Sequence, residues 1–509
     1  MNIGHILSYH AKYRPYHTAF ICGDVRLNYK ELYSSVNKIA NALATAKVSK
    51  GSKVAMLLPN CRELWELYWA IAQIGAIAVP LSPLLRGRGL INQLNFVETQ
   101  LLITNAESVN FVNEIIADLN ISPKQIWITG EEYASDFGSF YTNKNCAPES
   151  HNIEPEISPD DLYNIIFSSG TTGSPKGIML THRIRANYMT LFGSFFRMTP
   201  ESVVLQSGSI VFNGSFLMLM PVMFHGGTFI LNENFNAKEI AHQIKNERVT
   251  HSILVPTQII SVLKENSFNY ENLSSLQCIL TVGAPLHKSF KEELNSRIPD
   301  VFYELYGLTE GFVTILDKTD FELKSGSVGK PPQFFEMKIV DELGRELPSG
   351  DVGEIIGKGP ILMEGYYEDD IRTKEAIKDG WLYTGDLGYV DEDGYLFLVD
   401  RKKDMMISGS VNVYPKDIEG VIILHENVSE VAVIGIPDEK WGESPIAAVV
   451  LKTQSKSDIG ELMTWINERV EARFHKIKDM IILESFPRNV AGKILKNEIK
   501  ELYIASKTK

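Results

Sequence analysis

Short apolar runs alternate with amphipathic stretches along the first hundred residues. Residues 54–58 and 76–80 are apolar runs, and residues 62–74 between them repeat their apolar positions with a helical period. Another amphipathic stretch leads to a third apolar run at 101–104. Strands that alternate with helices form βαβ units with parallel strands, because each helix carries the chain back across the sheet. The pattern therefore predicts a parallel sheet covered by helices.

The same alternation recurs in the middle of the chain. The predicted strands are 203–206, 227–231, 252–255 and 278–282, and the predicted helices are 237–246 and 258–264. No internal repeat at a fixed period is visible. We therefore expect the α/β pattern to continue to about residue 400.

A charged segment, RKKD at 401–404, separates the apolar run 396–399 from a new unit that begins at Met405. A second α/β pattern follows, with predicted strands at 431–436, 447–451 and 480–483 and a predicted helix near 459–474. We place the domain boundary at 400–404. The prediction is an N-terminal domain of residues 1–400 and a C-terminal domain of residues 401–509.

Length, charge and cysteine content narrow the class of protein. A chain of 509 residues exceeds what one core supports, and 50 basic against 63 acidic residues give a net charge of −13. That charge disfavours attraction to nucleic acid or an anionic membrane. The four cysteines form no CxxC pair and predict neither a disulfide framework nor a zinc cluster. The start lacks a signal-peptide pattern, and polar and proline residues interrupt the apolar stretch 69–84. We expect a soluble cytoplasmic protein without a transmembrane segment.

The segment 168–177, SSGTTGSPKG, directly follows the apolar run 163–167. Glycines let backbone N–H groups approach phosphate oxygens, hydroxyls add donors, and Lys176 supplies positive charge. A Walker A loop would need Gly-Lys before Ser or Thr, and here Pro175 precedes the lysine. Composition alone would favour a surface loop, but the strand and residue order favour a phosphate cradle.

This loop resembles the signature loop of the adenylate-forming superfamily, which includes acyl-CoA ligases, firefly-type luciferases and peptide-synthetase adenylation domains. Segments 74–81, 281–285 and 303–310, the last reading YELYGLTE, are similar to further motifs of that family, in the family's order. The resemblance covers nearly the whole chain. It implies contacts with the ATP phosphates from Ser168, Ser169, Gly170, Thr171, Thr172, Gly173 and Lys176.

The later motifs imply the remaining nucleotide contacts. Tyr306 would stack on adenine, Thr309 would contact the α-phosphate, and Glu310 would bind Mg²⁺, as suits an aromatic face and a hard oxygen ligand. Adenine-pocket residues would include Gly283, Ala284, Pro285 and Gly307. Asp386 in the segment YTGD and Arg401 would hold the ribose, although Asp400 stands where the family usually has glycine.

The C-terminal segment FPRNVAGKI, 486–494, resembles the family motif that carries the adenylation lysine, here Lys493. The family rotates its small domain about a hinge, which corresponds to Lys403, so that Ser408 and Gly409 line a thiol channel. The implied fold is a large N-terminal domain of α/β subdomains with a β-barrel-like part, plus a small mobile C-terminal α/β domain. The resemblance also allows a homodimer.

The implied reaction is ATP- and Mg²⁺-dependent activation of a carboxylic acid as acyl-AMP, followed by transfer to coenzyme A. Lys493, Glu310, Thr309 and Thr171 would be catalytic, since they neutralise charge that develops at phosphorus. The sequence has no GxSxG elbow and needs no side-chain nucleophile. A carrier-protein thiol, a luciferase-type oxygenase and a non-catalytic nucleotide-binding regulator are the alternatives.

The acyl pocket is expected to be built from three separate segments. Its predicted residues are Phe212, Asn213, Gly214, Val282, Gly283, Gly307 and Leu308. Phe212 stands where many ligases have histidine, and Val282 is expected to shorten or narrow the tunnel. No Arg or Lys stands out near these positions, so we expect an apolar monocarboxylate in preference to a dicarboxylate. A medium- or long-chain fatty acid is the first expectation, and an aromatic or alicyclic acid is the alternative.

Overall fold

The computed structural model describes residues 2–130, 136–150, 155–168, 176–408, 411–438, 441–452, 458–470, 472–488 and 494–507. The chain divides into two compact units. The first unit is Met1–Glu336 with Gly357–Leu382, and the second unit is Met337–Ile356 with Tyr383–Lys509. The boundary at 400–404 and the hinge at Lys403 stay predictions.

The strands are β1 Thr18–Cys22, β2 Val25–Asn28, β3 Lys53–Leu57, β4 Ile77–Pro80, β5 Leu101–Asn105, β6 Ile126–Thr129, β7 Gly138–Ser139, β8 Leu162–Ser168, β9 Lys176–Thr181, β10 Val203–Gln206, β11 Thr228–Leu231, β12 His251–Ile253, β13 Cys278–Val282, β14 Phe302–Gly307, β15 Val313–Leu316, β16 Glu336–Val340, β17 Gly353–Lys358, β18 Gly365–Tyr366, β19 Ile377–Lys378, β20 Trp381–Val390, β21 Leu396–Arg401, β22 Met406–Ser408, β23 Val411–Val413, β24 Val428–Asp438, β25 Gly442–Leu451 and β26 Asp479–Ile482.

The helices are α1 His5–Tyr13, α2 Tyr29–Thr45, α3 Arg62–Gln73, α4 Gly87–Phe96, α5 Val109–Ile115, α6 Phe140–Cys146, α7 His182–Asn187, α8 Gly193–Phe195, α9 Phe216–His225, α10 Ala237–Glu247, α11 Pro256–Val262, α12 Tyr270–Leu273, α13 Lys288–Arg297, α14 Phe321–Lys324, α15 Asp370–Ala376, α16 Pro415–Ile422, α17 Ile459–Asn467 and α18 Lys496–Lys507. A π-helical turn, Tyr188–Phe192, joins α7 to α8.

Two eight-stranded sheets form the first unit. One has the order β15-β14-β13-β12-β10-β11-β1-β2, and the other has the order β18-β9-β8-β4-β3-β5-β6-β7. β3 and β4 pair in parallel with α3 between them in sequence, which confirms the predicted βαβ unit. Their apolar runs are continuous because both faces of a parallel sheet are covered.

The helix α3 shows how the two sheets of the first unit share packing. Trp65 on α3 is fully buried and stacks on Phe229 of β11 with ring centroids 4.4 Å apart. Trp65 also stacks on Phe20 of β1, at 5.3 Å. The helix belongs to the β3–β4 crossover, so its aromatic face links one sheet to the other. Aromatic pairs of this kind add stability beyond the area they bury.

A five-stranded sheet occupies residues 336–401 and includes β16, β17, β20, β19 and β21. Another five-stranded sheet, formed by β23, β22, β25, β24 and β26, lies in the second unit. Helix α17 begins at Ile459 as expected but ends at Asn467, earlier than the predicted 474. The mixed α/β class, with a large N-terminal and a smaller C-terminal part, is confirmed. No helix in the described ranges is long and apolar enough to cross a membrane.

Candidate active site

The two ends of the predicted phosphate loop lie opposite each other in the first unit. Ser168 is the last residue of β8, Lys176 is the first residue of β9, and the two are paired in an antiparallel register. The loop residues Ser169, Gly170, Thr171, Thr172 and Gly173 lie outside the described residues. Their phosphate contacts stay predictions, with Lys176 held at the base of the loop.

Glu310 and Lys176 are brought together through Tyr366. The Tyr366 hydroxyl donates a hydrogen bond of 2.9 Å to Glu310 Oε1, and Lys176 Nζ lies 5.4 Å from the centroid of the Tyr366 ring. Burial and the adjacent Glu310 carboxylate raise the pKa of Tyr366, so its hydroxyl remains a donor at ordinary pH. The sequence did not indicate Tyr366, because no local motif relates residue 366 to residue 310.

The turn that carries Glu310 depends on a glycine. Gly311 has φ +113°, and a Cβ atom there would lie 2.1 Å from the Ile361 carbonyl oxygen. The Met363 N–H donates to the Glu310 carbonyl oxygen at 2.8 Å, which ties the same two segments together. Any side chain at residue 311 would force them apart. The close backbone approach therefore sets where the Glu310 carboxylate lies.

The predicted adenine-pocket residues follow neighbouring parallel strands. Val282 at the end of β13 pairs with Leu305 of β14, so residues 283–285 and 306–309 emerge at the same edge of the sheet. Gly283 has φ +96° and is exposed, while Tyr306 is half-buried. Ligands of open α/β sheets bind outside the carboxyl ends of the strands. Ala284, Pro285 and Thr309 lie at that edge, and their roles stay predictions.

Two of the predicted acyl-pocket segments meet in the first unit. A Cβ atom on Gly214 would lie 3.6 Å from Val282 Cγ1, an ordinary van der Waals contact. Asn213 is buried and donates a hydrogen bond of 3.0 Å from Nδ2 to the Tyr188 hydroxyl. Phe212 is half-buried beside it. The structure thus brings Gly214 to Val282, as the pocket prediction requires.

The third predicted acyl-pocket segment turns back on the end of β14. The Leu308 N–H donates to the Phe312 carbonyl oxygen at 3.2 Å. A Cβ atom on Gly307 would lie 2.7 Å from both that oxygen and Val313 Cγ1. The backbone is therefore too close here for any residue but glycine. Whether residues 307 and 308 touch a substrate stays a prediction.

A buried arginine lies close to this region, although the sequence analysis did not single it out. Arg185 on α7 has no exposed surface, and its Cζ lies 3.9 Å from the ring centroid of Phe216 and 4.8 Å from that of Tyr188. Thr181 caps α7 by accepting a hydrogen bond from the Ile184 N–H. Nothing in the local sequence distinguishes Arg185 from a surface arginine.

The predicted ribose residues contact each other in the second unit. Asp386 of β20 pairs in register with Arg401 of β21, and Arg401 Nε lies 3.1 Å from Asp386 Oδ1. Asp386 is buried, with 7% of its surface exposed, whereas Arg401 is partly exposed. The oxygens of a carboxylate accept hydrogen bonds, including those from hydroxyl groups. The pair therefore suits the predicted role, which no observation yet tests.

A lysine that the sequence analysis missed lies beside the same pair. Burial lowers the pKa of Lys416, and the nearby Asp400 and Asp386 carboxylates oppose that shift. The Lys416 N–H also donates to Asp400 Oδ2 at 3.0 Å. Asp400, which stands where the family usually has glycine, therefore ties α16 to the strand that carries Arg401. Lys416 adds positive charge near the carboxylate expected to hold ribose.

The predicted hinge and channel residues lie further along the second unit. Lys403 is exposed, in a turn where the Asp404 N–H donates to the Arg401 carbonyl oxygen at 2.9 Å. Ser408 ends β22, is buried, and pairs with Gly442 of β25. Gly409 and Lys493 lie outside the described residues. Their roles, and the hinge at Lys403, stay predictions.

Two family models match the chain. Residues 7–367 match the model described as AMP-binding enzyme, and residues 417–493 match AMP-binding enzyme C-terminal domain. The first match alone covers more than half of the chain. The chain belongs to the AMP-binding enzyme family. The predicted membership in the adenylate-forming superfamily, of the acyl-CoA ligase type, and the predicted AMP-forming acid–CoA ligase class are confirmed.

Relatives of this AMP-binding enzyme differ in the acids they are named for. It is 32% identical over 502 residues to a feruloyl-CoA synthase from Streptomyces sp., with 97% of each chain covered. It is 31% identical to the long-chain-fatty-acid–CoA ligase FadD13 of Mycobacterium tuberculosis, with 99% of each covered. Among solved structures, ATP-bound MatB from Rhodopseudomonas palustris has a TM-score of 0.89 at 28% identity, with 99% of each chain covered. The family therefore establishes ATP use and the ligase type and leaves the acid open.

The described residues of this AMP-binding enzyme contain no group of three or more His, Cys, Asp or Glu that could hold a metal. In nucleotide-dependent enzymes, Mg²⁺ is usually bound by one or two carboxylates together with the substrate phosphates. Glu310 supplies one carboxylate, whose Oε1 accepts from Tyr366. A carboxylate has a second oxygen, which is chemically able to act as a ligand.

Proposed function

We propose that this enzyme converts an organic carboxylic acid, ATP and CoA into acyl-CoA, AMP and pyrophosphate. The observation that carries the proposal is the contact of Glu310 with Tyr366, whose ring lies over Lys176 at the base of the phosphate loop. The Glu310 carboxylate, which can bind a cation, and the Lys176 ammonium, which can bind phosphate oxygens, therefore both contact Tyr366. Phosphoryl chemistry requires that combination.

In the first half-reaction, a carboxylate oxygen of the acid forms a bond to the α-phosphorus of ATP while the bond to pyrophosphate breaks. Mg²⁺ supplies neutralisation of phosphate charge when bound. The hydrogen bond from Tyr366 positions the Glu310 carboxylate, and Lys176 provides positive charge near the loop. Asp386, which lies beside Arg401, would accept hydrogen bonds from the ribose hydroxyls. These residues act by positioning and by charge, which is the main source of catalysis in such transfers.

In the second half-reaction, the thiol sulfur of CoA attacks the acyl carbonyl carbon and AMP leaves. Lys493 serves the first half-reaction and must withdraw before CoA can reach the carbonyl carbon, which is why the family rotates its small domain. Rotation about Lys403 would bring Ser408 and Gly409 to the channel. Hinges of this kind lie at a few residues that absorb large changes of φ and ψ.

We propose two candidate classes for the preferred acid. A medium- or long-chain fatty acid remains our first expectation, and an aromatic or alicyclic acid is supported equally by the relatives, which include both types. A carrier-protein thiol in place of CoA is the remaining alternative, and one relative is named fatty acid–[acyl-carrier-protein] ligase. The choice of acceptor is open to direct measurement.

The test is a panel of fatty and aromatic acids with ATP and Mg²⁺, followed by pyrophosphate release and by thioester formation with CoA or with a phosphopantetheinylated carrier protein. We expect pyrophosphate release with at least one acid and acyl-CoA only when CoA is present. Thioester on the carrier alone would assign the acceptor to a carrier protein. No pyrophosphate release with any acid, from folded protein, would contradict the proposal.

Lys493→Ala separates the half-reactions. Loss of a cation that stabilises transition-state charge costs about 3–4 kcal/mol, so the rate of acyl-AMP formation should fall by about 100- to 1,000-fold. Thioester formation from synthetic acyl-AMP should change little. Lys496→Ala is the control, since Lys496 lies nearby in sequence and pairs with Glu419 at 2.7 Å. Equal losses in both half-reactions would count against the assignment of Lys493.

A further inference from the structure

Arg185 is a fully buried cation whose hydrogen-bonding capacity is mostly unused. Its Nε donates to Asn164 Oδ1 at 3.2 Å. Its two terminal nitrogens, Nη1 and Nη2, are buried and make no hydrogen bond of normal geometry within the described residues, although the Tyr188 hydroxyl interacts with the guanidinium. Burial lowers the pKa of Arg185, yet an arginine side chain stays charged in proteins. The free end of the guanidinium therefore carries two donors and a positive charge.

The surroundings of Arg185 are aromatic rings and an amide. The Phe216 and Tyr188 rings lie closest, and the Tyr68 and Tyr163 hydroxyls donate to main-chain carbonyl oxygens at 2.9 and 3.3 Å. Within the described ranges, no carboxylate forms an ion pair with Arg185. Aromatic faces attract a guanidinium but do not accept from its terminal N–H groups as a carboxylate does.

The other buried cations of the first unit are paired. Lys291 contacts Glu304 and also donates to the Ser325 carbonyl oxygen at 3.1 Å. Lys144 Nζ lies 2.7 Å from Glu66 Oε2. A buried charge without a partner destabilises the folded state, because it loses hydration without compensation. Arg185 departs from the pattern that the same protein follows elsewhere, and a ligand that binds there would remove the penalty.

The position of Arg185 connects it to the predicted acyl pocket. Tyr188, whose ring lies beside the guanidinium, accepts the hydrogen bond from Asn213, and the next residue, Gly214, lies against Val282. The amide Nδ2 of Asn164 is a further buried donor without a partner among the described residues. Three buried donor nitrogens, Nη1 and Nη2 of Arg185 and Nδ2 of Asn164, thus lack partners of normal geometry within the described residues, against one such acceptor in the predicted pocket segment, Asn213 Oδ1.

We propose that Arg185 binds a second carboxylate at the distal end of the acid, so that the preferred substrate is a dicarboxylic acid. The inference rests on the proposed function, and it reverses the expectation drawn from the sequence, in which no basic residue stood near the pocket. The two terminal N–H groups of a guanidinium form a planar fork that matches the two oxygens of a carboxylate. The reacting carboxylate would then lie at the nucleotide, with the acyl chain between the two ends.

The test compares matched pairs of acids on the full chain. Each α,ω-diacid is paired with the monoacid in which a methyl group replaces the distal carboxylate, over a range of chain lengths and with benzoate-type frames. We expect kcat/KM for pyrophosphate release to favour one diacid over its partner by about 100-fold, as sites built to bond a polar group discriminate strongly against its absence. Monoacids preferred in every pair would overturn the proposal.

Arg185→Met and Arg185→Lys probe the cation itself, and Arg183→Met is the matched control. Arg183 is on the same helix but exposed, and it pairs with Asp160 at 2.7 and 2.9 Å. Arg185→Met should lower the diacid-to-monoacid ratio by about 100-fold, and Arg185→Lys by about 10-fold, since lysine keeps the charge but not the fork. Arg183→Met should leave the ratio unchanged, and an unchanged ratio in Arg185→Met would refute the proposal.

Thermal unfolding supplies a readout that does not depend on turnover. Without substrate, Arg185→Met should keep or raise Tm, because removing an unpaired buried charge is not destabilising. The diacid should raise the Tm of wild type and not that of Arg185→Met. A lower Tm in Arg185→Met with an unchanged substrate preference would mark Arg185 as purely structural and overturn the proposal. Diacid protection without any pyrophosphate release would support Arg185 binding while contradicting the proposed function.

Discussion

The hydrogen bond from Tyr366 to Glu310 offers a sharp test of the site. Tyr366→Phe removes one hydroxyl group, which donates to Glu310 Oε1 at 2.9 Å, and leaves the ring that lies over Lys176. Hydrogen bonds to charged groups contribute about 1.5–3 kcal/mol. Water can reach the half-buried Glu310 in the variant, so we take the lower end of that range. Since about 1.4 kcal/mol corresponds to tenfold, the expected loss is about 10-fold.

The loss should appear in the response to Mg²⁺. With its carboxylate no longer oriented by the phenol, Glu310 should need about 10-fold more Mg²⁺ for half-maximal pyrophosphate release, and kcat/KM at limiting Mg²⁺ should fall by the same factor. Saturating Mg²⁺ should restore most of the activity. The assay is pyrophosphate release over a Mg²⁺ titration with the best acid of the panel.

Tyr367→Phe is the control for the same chemical change one residue away. The Tyr367 ring lies 5.6 Å from Lys53 Nζ and packs in the core of the β3–β4 sheet, and its hydroxyl interacts with Lys53, so loss of that hydroxyl should alter stability but not the Mg²⁺ titration. Identical Mg²⁺ curves for wild type and Tyr366→Phe would refute the reasoning. Equal shifts of the Mg²⁺ curve in Tyr366→Phe and Tyr367→Phe would also refute it, since they would indicate a general loss of stability and not a specific effect on Glu310.

Val282→Gly should shift the preference toward acids longer or bulkier by one to three methylenes, because Val282 lies against Gly214 in the predicted pocket. Each buried methylene contributes about 0.8 kcal/mol, so an unchanged kcat/KM profile over chain length would show that Val282 does not line the pocket. Lys403→Pro should leave single-turnover pyrophosphate release near normal but block acyl-CoA formation, because proline restricts φ at the predicted hinge; full thioester activity would contradict the hinge. Burial lowers the pKa of His251 from 6.5 to about 4, so the unfolded chain binds more protons between these values, and stability should be lost as pH falls through that window. His251→Gln should therefore flatten the fall in Tm between neutral pH and about pH 5, and an unchanged slope would show that His251 does not set it.

The sequence by itself predicted several of the strands and helices, in their order along the chain, and the motifs expected to bind the nucleotide. Hydrophobic periodicity is a local property, so the runs at 54–58 and 76–80 were sufficient to predict β3, β4 and the helix between them. The loop 168–177 was recognisable for the same reason, since its residue types and the preceding strand lie in one window. Asp386 and Arg401, the predicted ribose residues, belong to separate motifs in the sequence, and only the register of β20 with β21 shows that they contact each other.

Only the tertiary structure decided which side chains share a site. Tyr366 reaches Glu310 because Gly311 lets two distant backbone segments approach, and no window of sequence contains both contacts. In the sequence, Arg185 is an ordinary arginine of a helix. Only the structure shows that it is buried and that its terminal nitrogens make no hydrogen bond of normal geometry within the described residues. Helix α17 ended at Asn467 although its pattern ran on, because the end of a helix depends on packing and capping as well as period. The chemistry of a residue type is written in the chain, whereas its charge partner and its exposure to water are set by the fold.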